Sequence, residues 1–123
     1  MNGSNILVDT NIILYLLGGD KTIIPLLQNK KIFISFITEL ELLSFKKLSE
    51  NEEKIIKSFL MECTIFDINP EIKKSAIYLR RKYSIKLPDA IIIATALYID
   101  TSLISADIEF NKVKEADLII YKK

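Results

Sequence analysis

A chain of 123 residues, half of them hydrophobic, falls in the size range of one domain and can bury a core, so residues 1–123 are read as a single domain. Seventeen Lys plus Arg against sixteen Asp plus Glu leave a net charge of +1, which offers no global field to a polyanion; any basic surface for nucleic acid must be local. With no histidine and one cysteine, Cys63, the chain has no internal disulfide, no Ser-His-Asp or Cys-His nucleophile and no histidine-based zinc site, which leaves catalysis to carboxylates, lysine, tyrosine, the cysteine or a bound cation.

Asn5-Ile-Leu-Val8 is a short apolar run that predicts a buried strand, and Asp9-Thr-Asn11 offers capping oxygens to a helix through Ile12 to Leu17, closed by Gly18-Gly19. A short helix is expected from Lys21 to Gln28, then a strand over Ile32 to Ser35 leading into a helix from about Thr38 to Leu48. Ser49 opens another helix, with Glu52 three residues on as a capping box. Thr64 to Ile68 reads as a third strand, and Asn69-Pro70 as a helix start with proline at the first helical position; that helix carries Arg80, Arg81 and Lys82 near its end. Leu87-Pro88-Asp89 restarts helix, and Ala90 to Ile99, apolar on every side, predicts a helix buried between other elements. Thr101 to Ser105 and Asp117 to Tyr121 are the last two expected strands. No basic segment leads into a long apolar stretch at the N-terminus, so it does not read as a signal peptide, and the ten-residue run Ala90 to Ile99 is too short to span a bilayer. The expected setting is a reducing cytoplasm, with no membrane partner.

Strands that alternate with helices and are apolar along their whole length predict an α/β fold in three layers, a central mainly parallel sheet flanked by helices on both faces. In such sheets the ligand crevice lies beyond the carboxyl ends of the strands. Asp9 follows the first strand, Asp107 follows the strand ending at Ser105, and Asp89 opens a helix whose first turn can point to the same crevice.

Each acid also has an ordinary structural reading. Asp9 serves equally well as a helix cap, Asp89 as a first-turn acid favoured by the helix dipole, and Asp107 as the cap of a turn within Ser105-Ala-Asp-Ile-Glu-Phe110. Glu41 is harder to explain in this way. On a helix reaching Leu48 it falls within the arc of Ile37, Leu40, Phe45 and Leu48, whereas Glu39 lies nearly opposite. A carboxylate in an apolar stripe needs an ion-pair partner, a proton or a cation, and cation binding is the preferred reading. Asp9, Glu41, Asp89 and Asp107 together form an all-oxygen ligand set suited to one or two Mg²⁺ or Mn²⁺ ions and poorly suited to zinc. Thr10, Asn11, Ser105 and Glu109 are the polar residues placed to support them. Such a cation can supply a nucleophilic water at neutral pH without histidine and make a carboxylate pocket compatible with a phosphodiester.

The stretches Ile6-Leu-Val-Asp-Thr-Asn11, Ile34-Ser-Phe-Ile-Thr-Glu-Leu-Glu-Leu-Leu43, Leu87-Pro-Asp-Ala-Ile-Ile-Ile-Ala-Thr-Ala-Leu97 and Leu103-Ile-Ser-Ala-Asp-Ile-Glu-Phe110 run in order over nearly the whole chain. Together they resemble PIN-domain nucleases, specifically the VapC-type toxins of bacterial and archaeal toxin–antitoxin pairs. The resemblance matches Asp9, Glu41, Asp89 and Asp107 to the family's acidic quartet and selects Glu41 over Glu39. Phe45 departs from the glycine many such toxins carry there, Ser105 replaces the commoner threonine, and Glu109 stands for an acidic or amide residue; no carboxylate is lost.

The resemblance implies a Mg²⁺- or Mn²⁺-dependent endoribonuclease acting on structured RNA, a homodimer, and inhibition by a cognate antitoxin protein. Competing expectations are a housekeeping RNA- or DNA-processing nuclease and a PIN-like module that binds RNA or protein without cutting; the four retained acids weigh against the last. Arg80, Arg81, Lys82 and Lys86 are candidate phosphate contacts, though a solvated helix end accounts for them equally well.

Overall fold

The computed structural model describes residues 4–122. Five strands, β1 (Asn5–Val8), β2 (Lys31–Ser35), β3 (Thr64–Phe66), β4 (Ser102–Ser105) and β5 (Leu118–Ile120), form one sheet in the order β3-β2-β1-β4-β5 with every pairing parallel. Leu7 pairs with Phe33 on one side and Leu103 on the other, so β1 is the central strand. Among the described residues six helices pack against the sheet: α1 (Thr10–Leu17), α2 (Ile24–Leu27), α3 (Phe36–Leu43), α4 (Glu50–Met61), α5 (Pro70–Lys82) and α6 (Leu87–Ile99).

Alternate residues of the strands supply two separate cores. Leu7, Phe33 and Leu103 face α5 and α6, where Leu79, Ile92 and Ile93 complete one cluster. Ile6, Val8, Ile34 and Ile104 face the other way, against Ile12 and Ile13 of α1, Leu42 of α3 and Ile56 and Leu60 of α4. Both faces of the sheet are thus covered, which is why the strands read as continuous apolar runs, and the three-layer expectation holds. Removing a fully buried side chain such as Leu7 costs about 2–5 kcal/mol, because the lost burial is compounded by a cavity.

Several local expectations hold. The Ser49–Glu52 capping box is formed in both directions, at 3.1 and 3.0 Å, and Asn69 caps α5 by accepting from the Ile72 N–H at 2.8 Å with Pro70 behind it. Ala90 to Ala96 are all buried, as the all-apolar run predicts, although Tyr98 near its end is half-exposed. No helix among the described residues is long and apolar enough to cross a membrane.

Others are corrected. The helix expected over Lys21 to Gln28 shrinks to Ile24–Leu27, because the Asp20 carboxylate accepts from the Thr22 N–H at 3.0 Å and its hydroxyl at 2.7 Å, fixing a turn there instead. The helix expected over Thr38 to Leu48 runs from Phe36 to Leu43. Ser35 caps it two residues early, accepting from the Ile37 N–H, and at the other end both the N–H and the hydroxyl of Ser44 bond the Glu41 carbonyl, tightening the last turn to a close. The helical wheel that put Glu41 in an apolar stripe therefore used residues that are not helical. Leu40 and Phe45 are 56% and 47% exposed, Thr38 and Leu42 are the buried positions, and Glu41 itself is exposed. The third strand stops at Phe66 rather than Ile68.

Candidate active site

The carboxyl ends of β1 and β4 lie side by side, Val8 beside Ile104, and the Asp9 N–H continues the ladder by donating to the Ile104 carbonyl at 3.0 Å. This brings the residues after the two strands together. A pocket of about 340 Å³ opens there, lined by Asp9, Thr10, Asn11, Leu14, Glu41, Ser44, Phe45, Asp89 and Asp107. All four acids singled out in the sequence thus line one cavity, and among the described residues no lysine or arginine lines it.

Asp9 is buried, and both its oxygens are engaged: Oδ1 accepts from the Thr10 N–H at 2.8 Å and Oδ2 from the Ser105 hydroxyl at 2.7 Å. It stands at the N-cap of α1, where its side chain takes the amide of the next residue and its backbone carbonyl takes those of Ile12 and Ile13. Burial pushes its carboxyl above the usual range; the two hydrogen bonds oppose this, and the charges of Glu41 and Asp107 add to it.

Ser105, fully buried at the end of β4, gives its one proton to Asp9 and accepts from the Asp107 N–H at 3.0 Å. Asp107 Oδ1 accepts from the Glu109 N–H at 2.9 Å, capping a short 3-10 turn over Ile108–Lys112. Glu41 Oε1 accepts from the Thr10 hydroxyl at 2.6 Å, so Thr10 holds Asp9 with its backbone and Glu41 with its side chain. Asp89 sits in the first turn of α6, half-buried, with its carboxyl pushed up to about 6. Burial is the main cause, followed by the negative charges of Asp9 and Asp107, while Lys86 pulls the other way and Glu41 adds a further increment.

Not every polar residue marked in the sequence reaches the pocket. Asn11 lines it, but Glu109 is exposed and pairs with Lys112 at 2.6 Å. None of the four basic candidates is a lining residue. Arg80 donates to the Ile85 carbonyl at 2.9 Å, and Lys82 is held by the Tyr78 hydroxyl at 3.1 Å and Glu115 at 3.0 Å, between the rings of Tyr78 and Tyr83. Arg81 is exposed, and Lys86, the residue before α6, is the one whose charge acts on Asp89. The sequence reading missed Thr38, fully buried and bonded to Thr10, and the half-exposed Phe45 on the pocket wall. A threonine one turn before Glu41 in a short apolar helix was the available signal for the first.

The donor set fits a hard divalent cation by its chemistry: four carboxylates and an amide oxygen, whose negative charges help to raise the proton affinity of Asp9 and Asp89. It does not form a ready-made cage, since no three Asp, Glu or Cys side chains among the described residues converge closely enough to hold one ion. That matches an ion such as Mg²⁺, which keeps several waters and takes one or two carboxylates directly.

An all-parallel α/β domain with an acidic pocket at the carboxyl edge of its central strands is the class that fold and site define. The particular family comes from comparison: the model of the PIN domain matches residues 6–116, and the chain belongs to that family, whose domains are nucleases. A toxin–antitoxin complex from Klebsiella pneumoniae contains a chain 30% identical to this one, with 93% of this chain and 95% of that one covered and a TM-score of 0.80. VapBC2 from Rickettsia felis, bound to a DNA fragment from its promoter, and VapBC-1 from nontypeable Haemophilus influenzae share the fold at 23% and 24% identity, with TM-scores of 0.82 and 0.81. The first covers 96% of this chain and 99% of its own, the second 94% and 97%. No curated protein matches the sequence.

Proposed function

We propose that this chain is a Mg²⁺- or Mn²⁺-dependent endoribonuclease and the toxin of a toxin–antitoxin pair, working in the cytoplasm. The observation that carries the reading is the gathering of Asp9, Glu41, Asp89 and Asp107 around one pocket, with no lysine or arginine among the described residues that line it. Left alone, these acids repel one another and any phosphodiester; a cation reverses both effects.

Asp9 and Asp89 are the proposed direct ligands, one buried between two fixed donors and the other held at a helix start. Glu41 and Asp107, each tied to Asp9 through one hydroxyl residue, would reach the ion directly or through water. Held by these residues, a divalent cation would supply an acidified water and would offset the charge that builds on the phosphate oxygens. The chain's part is to orient the ligands, through Thr10 and Ser105, and to keep a site rigid enough for in-line attack. Phe45 and Leu14 make the apolar wall of the same pocket, against which a nucleotide can lie.

The antitoxin partner is proposed from the similarity to the Klebsiella pneumoniae complex, and a homodimer from the family resemblance. Arg81 and Lys86 are the better placed of the basic residues for phosphate contact, since Arg80 and Lys82 are engaged elsewhere. The reading is tested by incubating total cellular RNA with the protein, with and without Mg²⁺ or Mn²⁺, and mapping new ends by sequencing. Metal-dependent internal cleavage that Asp9→Asn abolishes is the expected result; no new ends with either metal, or equal cleavage by the variant, would overturn it.

A further inference from the structure

Thr38 lies one turn before Glu41 on α3, with its side chain fully buried. Its hydroxyl stands 3.1 Å from Thr10 Oγ1, which in turn stands 2.6 Å from Glu41 Oε1. A hydroxyl carries a single proton, so Thr10 cannot donate to both neighbours. A carboxylate only accepts, and an O–H···O⁻ contact of this length is the short, charge-assisted kind. The Thr10 proton therefore points to Glu41, and the bond between the two threonines is made by the proton of Thr38. The reverse order would set a lone pair of Thr10 against a carboxylate lone pair at 2.6 Å.

We propose that Thr38 is a positioning residue of the pocket: its hydroxyl fixes the direction of the Thr10 proton and so holds the Glu41 carboxylate beside Asp9. Glu41 needs such an anchor because it is exposed and sits in the last turns of a helix that ends at Leu43. Thr10 is itself tied to Asp9 through its N–H, so the chain from Thr38 to Thr10 couples the carboxylate on α3 to the one that ends β1. The effect on cation affinity rests on the reading of the pocket as a metal site; the orientation of Glu41 does not.

The test compares Thr38→Val, which keeps the shape and loses the hydroxyl, with Thr38→Ser, which keeps the hydroxyl, and with Thr10→Val. Two quantities are read: the carbon-13 shift of the Glu41 carboxyl in metal-free protein at neutral pH, and Mn²⁺ affinity by calorimetry. Thr38→Val should move the Glu41 shift in the same direction as Thr10→Val, and Thr38→Ser should leave it near the wild-type value. Mn²⁺ binding should weaken about 10–100-fold in Thr10→Val, the usual loss when a ligand's direct partner goes, and by a smaller factor of about 3–10 in Thr38→Val. The double variant should bind no more weakly than Thr10→Val alone, since both substitutions break one relay. An unmoved Glu41 shift in Thr38→Val, or losses that simply multiply in the double variant, would overturn the proposal. If wild-type protein binds no Mn²⁺, the metal reading fails while the carboxyl shift still decides the relay. Should Thr38→Val not fold, Thr38→Ala carries the same two readouts.

Discussion

Two clusters of ionisable side chains in this chain resolve their charges in opposite ways. Near the end of α5, Glu115 accepts from Lys82 and from the Tyr83 hydroxyl, the ammonium lies over two tyrosine rings, and the Glu115 carboxyl is held down at about 2. At the carboxyl edge of the sheet, four acids share a pocket whose hydrogen bonds come from hydroxyls and amides, and the carboxyls of Asp9 and Asp89 are pushed up. The first cluster contains its own counter-charge. The second has none among the described residues that line its pocket, with Lys86 acting on Asp89 from outside that lining, and a bound cation would supply it, which is the physical difference between a surface tether and a site.

That contrast can be broken in several ways. The largest effect is expected from Asp9→Asn, which keeps the shape but can accept from only one of the two donors, the Thr10 N–H and the Ser105 hydroxyl, and removes the charge of a proposed ligand; RNA cleavage should fall by a factor on the order of 10³, as loss of several kcal/mol of metal-derived stabilisation implies, measured as initial rates at saturating Mn²⁺. Proton competition comes next. With Asp89 titrating near 6, Mn²⁺ affinity should drop about tenfold for each pH unit below that point as one proton must be displaced, and calorimetry at pH 7.5 and 5 reads the difference.

The metal-free protein should show the reverse trend in stability. Asp89 has a higher pKa folded than unfolded, so the native state binds the extra proton between about 4 and 6, and stability falls as pH rises through that window. Because the group is half-exposed and screened, the loss is on the order of 1 kcal/mol, and Asp89→Asn should remove it in denaturant titrations without metal. Glu115 has the opposite sign: its lowered pKa contributes stability above the usual carboxylate range that is lost as pH falls toward 2. The smallest effect is therefore expected at neutral pH from Glu115→Gln, a decrease in Tm of a few degrees at most with Mn²⁺ binding unchanged.

The sequence made the sheet and the places of three acids legible because these depend on short-range signals. Asn5 to Val8 carries three consecutive apolar residues that end in a β-branched valine, and the residue after a central parallel strand is delivered to the crevice by topology alone. Glu41 reaches the pocket by a route the sequence did not disclose. A wheel drawn over residues 37–48 assumed a helix that Ser44 ends at Leu43, and the side chain is held by a threonine 31 residues earlier rather than by an apolar surround. Tertiary partners of this kind leave no local pattern. For the same reason the basic run looked like one surface, although Arg80 is taken up by the Ile85 carbonyl and Lys82 by Glu115, 33 residues away. Glu109, two residues past Asp107, is drawn off by Lys112.

Whether the acidic pocket holds a divalent cation is read most directly by a calorimetric titration of the metal-free protein with Mn²⁺ at pH 7.5, run beside Asp9→Asn and Glu115→Gln. Saturable binding is expected for the wild type and for Glu115→Gln, and its loss in Asp9→Asn. Absence of binding by the wild type, or equal binding by Asp9→Asn, would contradict the metal reading.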